Sequence, residues 1–262
     1  MQTLQVRNIS LAIDFYEGGK ELIVFIHGVG ADRTSWKYQP EFFTSHGYSV
    51  ATLDMRGSGD SDARDANGMV LPISLEEFAR DVDAAIKELG FTKAHWIGNS
   101  MGGVIIMQAI ALGLSTLDKI ALCNTFAYHP AQKEILPRAA TALKAKSLAE
   151  FAKDRIPLVY KPDIDKLTLE EGIAAMARKD PEAYLASWRA TWSPDFRPML
   201  AGITNPTLII SGTLDQITPT ALSNELAEIP NAKHINIGGA GHLAHADQPD
   251  EFNRVLLEFL QM

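Results

Sequence analysis

The sequence predicts an α/β protein with a largely parallel sheet and one helical insert. Short apolar runs, such as residues 22–26 and 48–53, alternate with helical patterns through most of the chain, and runs of this kind are typical of strands buried on both faces. From about residue 126 to residue 199 the alternation stops, and Ala-, Lys-, Leu- and Glu-rich stretches separated by prolines predict short helices only. We therefore expect a core of residues 1–125 and 200–262, interrupted by an insert of residues 126–199.

The order of elements follows from hydrophobic periodicity and from turn residues. Before the insert, strands are expected at residues 3–7, 10–15, 22–26, 48–53, 94–98 and 119–123, and helices at residues 36–46, 74–89 and 101–112. After it, strands are expected at residues 206–211 and 233–237, and helices at residues 219–228 and 249–260. Ser74 followed by Glu77 is a capping-box pattern, and Gly90 ends the helix that this pattern begins.

Composition excludes several functional classes. The net charge of -8 argues against a nucleic-acid-binding protein, which usually has a basic face. The single cysteine, Cys123, cannot form an intrachain disulfide, and it lies in an apolar run typical of a buried strand. We see neither a leader-like N-terminus nor an apolar run of membrane length, so we expect a cytoplasmic protein that acts on a small molecule. We expect no metal and no organic cofactor, and the sequence leaves open whether the chain is a monomer or a homodimer.

One short segment, Gly98-Asn99-Ser100-Met101-Gly102, matches the pattern of a nucleophile elbow. An apolar strand precedes it and a helical pattern follows, so Ser100 is expected on a tight strand-to-helix turn. Glycine is favoured two residues before and after the serine because larger side chains would collide there. The alternative interpretation is an ordinary turn in which Ser100 caps the helix.

A nucleophilic serine needs a base, and the base needs an acid to orient it. His242 is the favoured base, because it lies in a glycine-rich loop that follows a strand. Asp215 is the favoured acid, because it comes just after an apolar strand and so lies at the same sheet edge as Ser100. His245 remains an alternative base and Asp54 an alternative acid.

An acyl intermediate also needs two donors for its oxyanion. The amide of Met101 is one candidate, since N–H groups at a helix N-terminus are free and favour negative charge. The amide of Val29 is the second, in a loop where Gly28 lets the backbone turn inward. We expect His27 to brace this loop as a buried hydrogen-bonding residue.

Together, these motifs resemble those of the α/β-hydrolase superfamily over essentially the whole chain. The matching stretches are His-Gly-Val-Gly at 27–30, Asp-Met-Arg-Gly-Ser-Gly-Asp-Ser at 54–61, Gly-Asn-Ser-Met-Gly-Gly at 98–103, Ser-Gly-Thr-Leu-Asp at 211–215 and Gly-Ala-Gly-His-Leu at 239–243. The resemblance implies an eight-stranded, mostly parallel sheet with helices on both faces. It also implies a helical cap after the sixth strand, which agrees with the insert.

Within the superfamily, the sequence is most similar to 3-oxoadipate enol-lactonases and their esterase relatives. The segments that carry this likeness lie at 27–36, 177–184 and 241–253. The Gly-Asn-Ser-Met-Gly-Gly elbow is also typical of hydrolases that split carbon–carbon bonds in ring-cleavage products. However, Leu243 stands where those enzymes usually carry an aromatic residue, and their longer glycine-rich oxyanion loop is missing.

The cap is expected to select the substrate. Trp188, Arg189 and Trp192 form a compact cluster in it, and Arg138 lies earlier in the insert. One hypothesis is that Arg189 or Arg138 binds a substrate carboxylate while the tryptophans form an apolar wall. Gly28, in the loop after the third strand, is a further candidate for substrate binding. The alternative is that the tryptophans pack the interior of the cap and the arginines lie at its surface.

The sequence therefore predicts a serine hydrolase that cleaves a small ester or lactone in two acyl-transfer steps. Two alternatives stay open. One is a hydrolase of carbon–carbon bonds, and the other is a non-catalytic, ligand-sensing module of the same fold.

Overall fold

The computed structural model describes residues 1–262 and confirms the predicted α/β fold class. Its strands are β1 (Gln2–Val6), β2 (Ile9–Tyr16), β3 (Glu21–Ile26), β4 (Tyr48–Leu53), β5 (Ala94–Asn99), β6 (Leu117–Cys123), β7 (Thr207–Gly212) and β8 (Lys233–Ile237). They form one eight-stranded sheet in the order β1-β2-β4-β3-β5-β6-β7-β8. The β1–β2 and β2–β4 pairs are antiparallel and the other pairs are parallel. The carboxyl ends of β3 to β8 therefore lie along one edge.

Helices cover both faces of this sheet. They are α1 (Pro40–Ser45), α2 (Leu75–Glu88), α3 (Met101–Ala111), α4 (Gln132–Ala142), α5 (Leu148–Arg155), α6 (Lys166–Ala177), α7 (Pro181–Trp192), α8 (Thr220–Glu225), α9 (Ala244–Asp247) and α10 (Pro249–Leu260). The core side chains of α2 and α3 lie on one face, and those of α1 and α10 on the other. None of the helices has the length and apolar character needed to cross a membrane.

The central strands are buried on both faces, as their continuous apolar sequences predict. Successive side chains of β3 alternate between the two faces, so Val24 belongs to one hydrophobic cluster while Ile23 and Phe25 belong to the other. This double burial fixes the register of the sheet, because a shift by one residue would move every side chain to the wrong face.

Two helix predictions needed correction. The helix expected at residues 36–46 is two elements, a 3₁₀ turn at Arg33–Trp36 and then α1. The break falls at Pro40, which has no N–H to donate and is well suited to the first turn of a new helix. Residues 244–247, which we did not predict as helical, form the short helix α9.

The capping box of α2 forms only in part. The Ser74 hydroxyl accepts a hydrogen bond from the Glu77 amide at 3.2 Å. The Glu77 carboxylate, however, binds Arg7 and Arg56 and does not return to the cap. Two tertiary ion pairs have taken the place of this local contact.

Between β6 and β7 the chain forms α4 to α7 and no strand. At the base of this segment, which we call the cap, the Phe196 amide donates to the Ala127 carbonyl at 2.9 Å. Ion pairs between Arg178 and Asp32 and between Lys37 and Glu171 join the cap to the loop after β3. The cap therefore covers the sheet edge where the predicted site residues lie. Its status as a separate domain remains a prediction.

Candidate active site

Ser100 lies between the last residue of β5 and the first residue of α3, with φ +54° and ψ −113°. Few residues other than glycine adopt a positive φ, and such strain is concentrated at functional sites. The flanking glycines have a steric reason. A Cβ atom on Gly98 would lie 2.3 Å from the Gly102 carbonyl carbon, and one on Gly102 would lie 2.2 Å from the Ile26 carbonyl oxygen. The turn thus requires glycine at both positions.

His242 and Asp215 form a buried pair at the same edge of the sheet. His242 Nδ1 lies 2.9 Å from Asp215 Oδ2. Burial alone would raise the pKa of Asp215, but the neighbouring His242 and hydrogen bonds from Thr218 lower it to about 2. Asp215 is therefore ionised at neutral pH, and it fixes the Nδ1 atom of His242 as the donor.

Two residues that the sequence analysis missed complete this pair. Thr218 donates its hydroxyl to Asp215 Oδ2 at 2.7 Å and its amide to Asp215 Oδ1 at 2.9 Å. Asn124, at φ +46°, donates from Nδ2 to Asp215 Oδ2 at 2.9 Å. The Thr218 contact is a local turn that the spacing of three residues could have suggested. The Asn124 contact depends on the pairing of β6 with β7 and gives no local signal.

The Ser100 hydroxyl is not hydrogen-bonded to the imidazole, although both residues line one cavity. Catalytic hydrogen bonds are often long in the absence of substrate and tighten when it binds.

The proposed oxyanion donors lie on two sides of Ser100. Val29 follows β3, and Met101 opens α3; the hydrogen bonds of the surrounding turns use neither amide. A Cβ atom on Gly28 would lie 3.3 Å from the Ser100 Cβ, so the loop passes close to the serine. His27 braces this loop as expected: its Nε2 accepts from the Met55 amide at 3.1 Å, and its Nδ1 donates to the Gly28 carbonyl at 2.8 Å.

The alternative site residues have structural partners. Asp54 is buried, accepts the amides of Arg33 and Asp60, and pairs with the Arg33 guanidinium. His245 is fully buried and stacks on Trp36 with ring centroids 3.8 Å apart. Neither faces the cavity. Cys123 is buried within β6, and this burial raises its thiol pKa. His234 bonds to Ser211 at 2.6 Å, in agreement with a structural role.

A cavity of about 830 Å³, a volume that includes space open to solvent, separates the cap from the sheet edge. Gly28, Ser100 and His242 line it from the core, and Trp188 and Trp192 line it from the cap. Three of the five residues that we predicted to bind substrate (Gly28, Trp188 and Trp192) therefore face the cavity.

The other two, Arg138 and Arg189, do not: both side chains are exposed and neither lines the cavity. The arginine that does is Arg155, at the end of α5. Its guanidinium forms no ion pair within the protein and lies 6.0 Å from the Trp188 ring. Burial lowers the pKa of Arg155, which nevertheless stays charged, so the cavity contains an uncompensated cation.

Comparison with known proteins agrees with this geometry. The family described as alpha/beta hydrolase fold matches residues 21–249. The chain is 26% identical over 242 residues to 3-oxoadipate enol-lactonase 1 of Acinetobacter baylyi, covering 91% of this chain and 88% of that protein. It is 29% identical over 263 residues to a 2-hydroxy-6-oxononadienedioate/2-hydroxy-6-oxononatrienedioate hydrolase of Paraburkholderia phymatum, covering 92% and 88%. The enol-lactonase structure from Burkholderia xenovorans superposes with a TM-score of 0.90 at 26% identity over 100% of both chains.

Proposed function

Because the chain belongs to the α/β-hydrolase fold family, we propose that it hydrolyses a carboxylic ester or lactone of a small substrate through an acyl-enzyme on Ser100. One observation carries the proposal. Ser100 and His242 line the same cavity, and His242 Nδ1 lies 2.9 Å from the buried Asp215 carboxylate.

In the first step, Ser100 Oγ attacks the carbonyl carbon and its proton passes to His242 Nε2. Asp215 stabilises the imidazolium that forms, and the amides of Val29 and Met101 bind the developing oxyanion. The imidazolium then protonates the leaving oxygen as the carbon–oxygen bond breaks. In a lactone this oxygen stays attached to the acyl group, so ring opening leaves a single acyl-enzyme.

In the second step, water takes the place of Ser100 as the nucleophile. His242 Nε2 takes a proton from the water, the hydroxide attacks the acyl carbon, and the proton returns to Ser100 as the acid leaves. Every proton moves between Ser100, His242 and the substrate or water, so this reaction requires no redox partner.

The preferred substrate has a free carboxylate that is not part of the scissile bond. Arg155 supplies an unpaired guanidinium to the cavity, and such a group binds carboxylates in a bidentate manner. The net charge of -8 repels anions at long range, so a local cation has to offset that field. An enol-lactone of 3-oxoadipate has both the lactone and the free carboxylate.

The test compares kcat/KM on 3-oxoadipate enol-lactone with that on phenyl acetate. We expect more than about 10⁵ M⁻¹s⁻¹ on the lactone and far less on the ester. Ser100→Ala should reduce turnover by about 10³-fold or more. Ser35→Ala, which also removes a hydroxyl from the cavity wall, is the matched control and should remain active. Full activity of Ser100→Ala would refute the mechanism.

A second candidate is the hydrolysis of a carbon–carbon bond in a ring-cleavage product. The 29% identity to the Paraburkholderia phymatum hydrolase favours it. Faster turnover of a ring-cleavage dienoate than of the lactone would establish this reaction. A single turnover that leaves the protein acylated would instead indicate a ligand-sensing module.

A further inference from the structure

The loop that carries His242 is hydrogen-bonded to the cap. The amides of His242 and Leu243 both donate to the Val159 carbonyl, at 2.9 and 3.2 Å. The carboxylate of Asp247 bridges the same two segments, since Oδ2 accepts the Gly241 amide at 2.7 Å and the Lys161 amide at 2.9 Å. We call these contacts between residues 159–161 and residues 241–243, with Asp247, the cap seam.

The cap seam is closely packed. A Cβ atom on Gly241 would lie 2.9 Å from both Asp247 Oδ2 and the Tyr160 carbonyl carbon. Only glycine allows the two backbones to approach this closely. Asp247 is itself buried, and its second oxygen has no partner. A buried carboxylate that shares one oxygen between two amides is costly unless those two contacts are retained.

The core holds the opposite side of the loop. Asn99 Nδ2 donates to the His242 carbonyl at 3.0 Å, and Asn124 Nδ2 donates to the Gly241 carbonyl at 3.2 Å. The carbonyls of the loop are therefore fixed by the core, whereas its amides are fixed by the cap and Asp247. Without the hydrogen bonds of the amides, the backbone of the His242 loop would be held on one side only.

The cap side of the seam also belongs to the substrate cavity. Val159 and Tyr160 line it together with Arg155, which lies only four residues before Val159. The cavity wall and the loop that carries the base are thus joined by two direct hydrogen bonds and by a bridge of two more through Asp247.

We propose that Asp247 is a positioning residue for hydrolysis, whose carboxylate joins the cap to the His242 loop and so sets the place of the imidazole relative to Ser100. This inference rests on the proposed function. Asp247 does not contact the reacting atoms. It acts through its hydrogen bonds to the Gly241 amide of the loop and to the Lys161 amide of the cap.

The charge of this carboxylate is sensitive to pH. Burial raises the pKa of Asp247 to about 6, against the opposing effect of the two amides and Lys161, while Asp163 adds to the rise. Lys161 and Asp163 of the cap act on this carboxylate, and Tyr160 of the cap also lies near it. His242 and His245 precede it in the same segment of the chain. Tyr160 and His245 stay neutral near pH 6, because burial raises the pKa of the first and lowers that of the second. Below pH 6 Asp247 is a neutral, weaker acceptor.

The experiment compares Asp247→Asn and Asp247→Ala with the wild type, using phenyl acetate so that Arg155 is not required. Asparagine keeps one oxygen for both amides but removes the charge, and alanine removes the acceptor. Asp250→Asn removes an exposed carboxylate nearby and is the control. We would measure kcat and KM from pH 5 to pH 8, the rate at which a fluorophosphonate labels Ser100, and thermal unfolding.

We expect Asp247→Ala to lower kcat and the labelling rate by about 10²-fold with little change in KM. We expect Asp247→Asn to lower kcat by about 10-fold at pH 8. The ratio of wild-type to Asp247→Asn kcat should fall toward one below pH 6, because the wild-type carboxyl is then neutral as well.

A ratio of wild-type to Asp247→Asn kcat that stays at one from pH 5 to pH 8 would overturn the proposal, and this test remains available should the alanine variant fail to fold. An alanine variant with wild-type kcat and labelling would also overturn it. Ser100→Ala is assayed in parallel. If it is inactive in the same experiment, the proposed function stands and only the role of Asp247 fails. If it is active, the proposed function itself fails.

Discussion

Arg155 and Lys37 are the two cations on the cavity wall, and only Arg155 lacks an acidic partner. The sequence alone could not identify it. Arg138, Arg155 and Arg189 all occur in helical, polar stretches of the insert, and which of them faces inward depends on how α4 to α7 pack against one another. The tryptophans were easier to place, since large aromatic side chains at helical spacing are usually buried.

The unpaired charge of Arg155 on the cavity wall predicts the outcome of one substitution. Arg155→Met should lower kcat/KM on 3-oxoadipate enol-lactone by about 10- to 100-fold, the usual loss for a charge-assisted hydrogen bond. The rate on phenyl acetate, which has no carboxylate, should change little. Steady-state kinetics on both substrates give the result, and Arg189→Met is the matched control at an exposed position. Equal losses on the two substrates would show that Arg155 is structural.

Among the elements, those with strong local signals were predicted well. The apolar run of β3 and the glycines around Ser100 leave few alternatives, because burial on both faces and contacts of 2.2–2.3 Å exclude other residue types. The elements that the sequence did not predict are those that depend on partners distant in the chain. The helix α9 has only four residues, too few for a periodic pattern, and it forms where its side chains pack against Trp36 and the cap.

The contact between α3 and β3 gives a second prediction. Gly102→Ala should destabilise the protein by more than about 3 kcal/mol, because its Cβ would lie 2.2 Å from a backbone oxygen of the neighbouring strand. Gly202→Ala, where no atom lies within 4 Å of the new Cβ, should change stability by less than about 0.5 kcal/mol. Urea unfolding measures both values. Similar stability for the two variants would contradict the steric argument for the elbow.

For the whole molecule, buried neutral histidines couple stability to pH. Burial lowers the pKa of His245 to about 3, with a further contribution from His242. The unfolded chain binds a proton near pH 6.5, whereas the folded chain does not, so the free energy of unfolding falls as the pH decreases through this window. Between pH 7 and pH 5, His245 alone should account for a loss of about 2 kcal/mol.

His245→Phe keeps a ring against Trp36 and removes this titration. The variant should lose about 2 kcal/mol less than the wild type between pH 7 and pH 5, as measured by urea unfolding at each pH. Parallel curves for the two proteins would show that His245 binds a proton as readily in the folded as in the unfolded chain.

The hydrogen bond between Phe196 and Ala127 has a consequence for how such a protein can diversify. The chain leaves the sheet and returns to it at nearly one point, so the length between these residues is almost free of geometric constraint from the core. Closing a longer excursion costs little more entropy than closing a short one. A lineage can therefore exchange the whole covering segment, and with it the range of compounds admitted, while inheriting the chemical machinery beneath it unaltered. The cap seam sets the limit on this exchange, since any replacement must still offer a carbonyl and an amide to the His242 loop and Asp247.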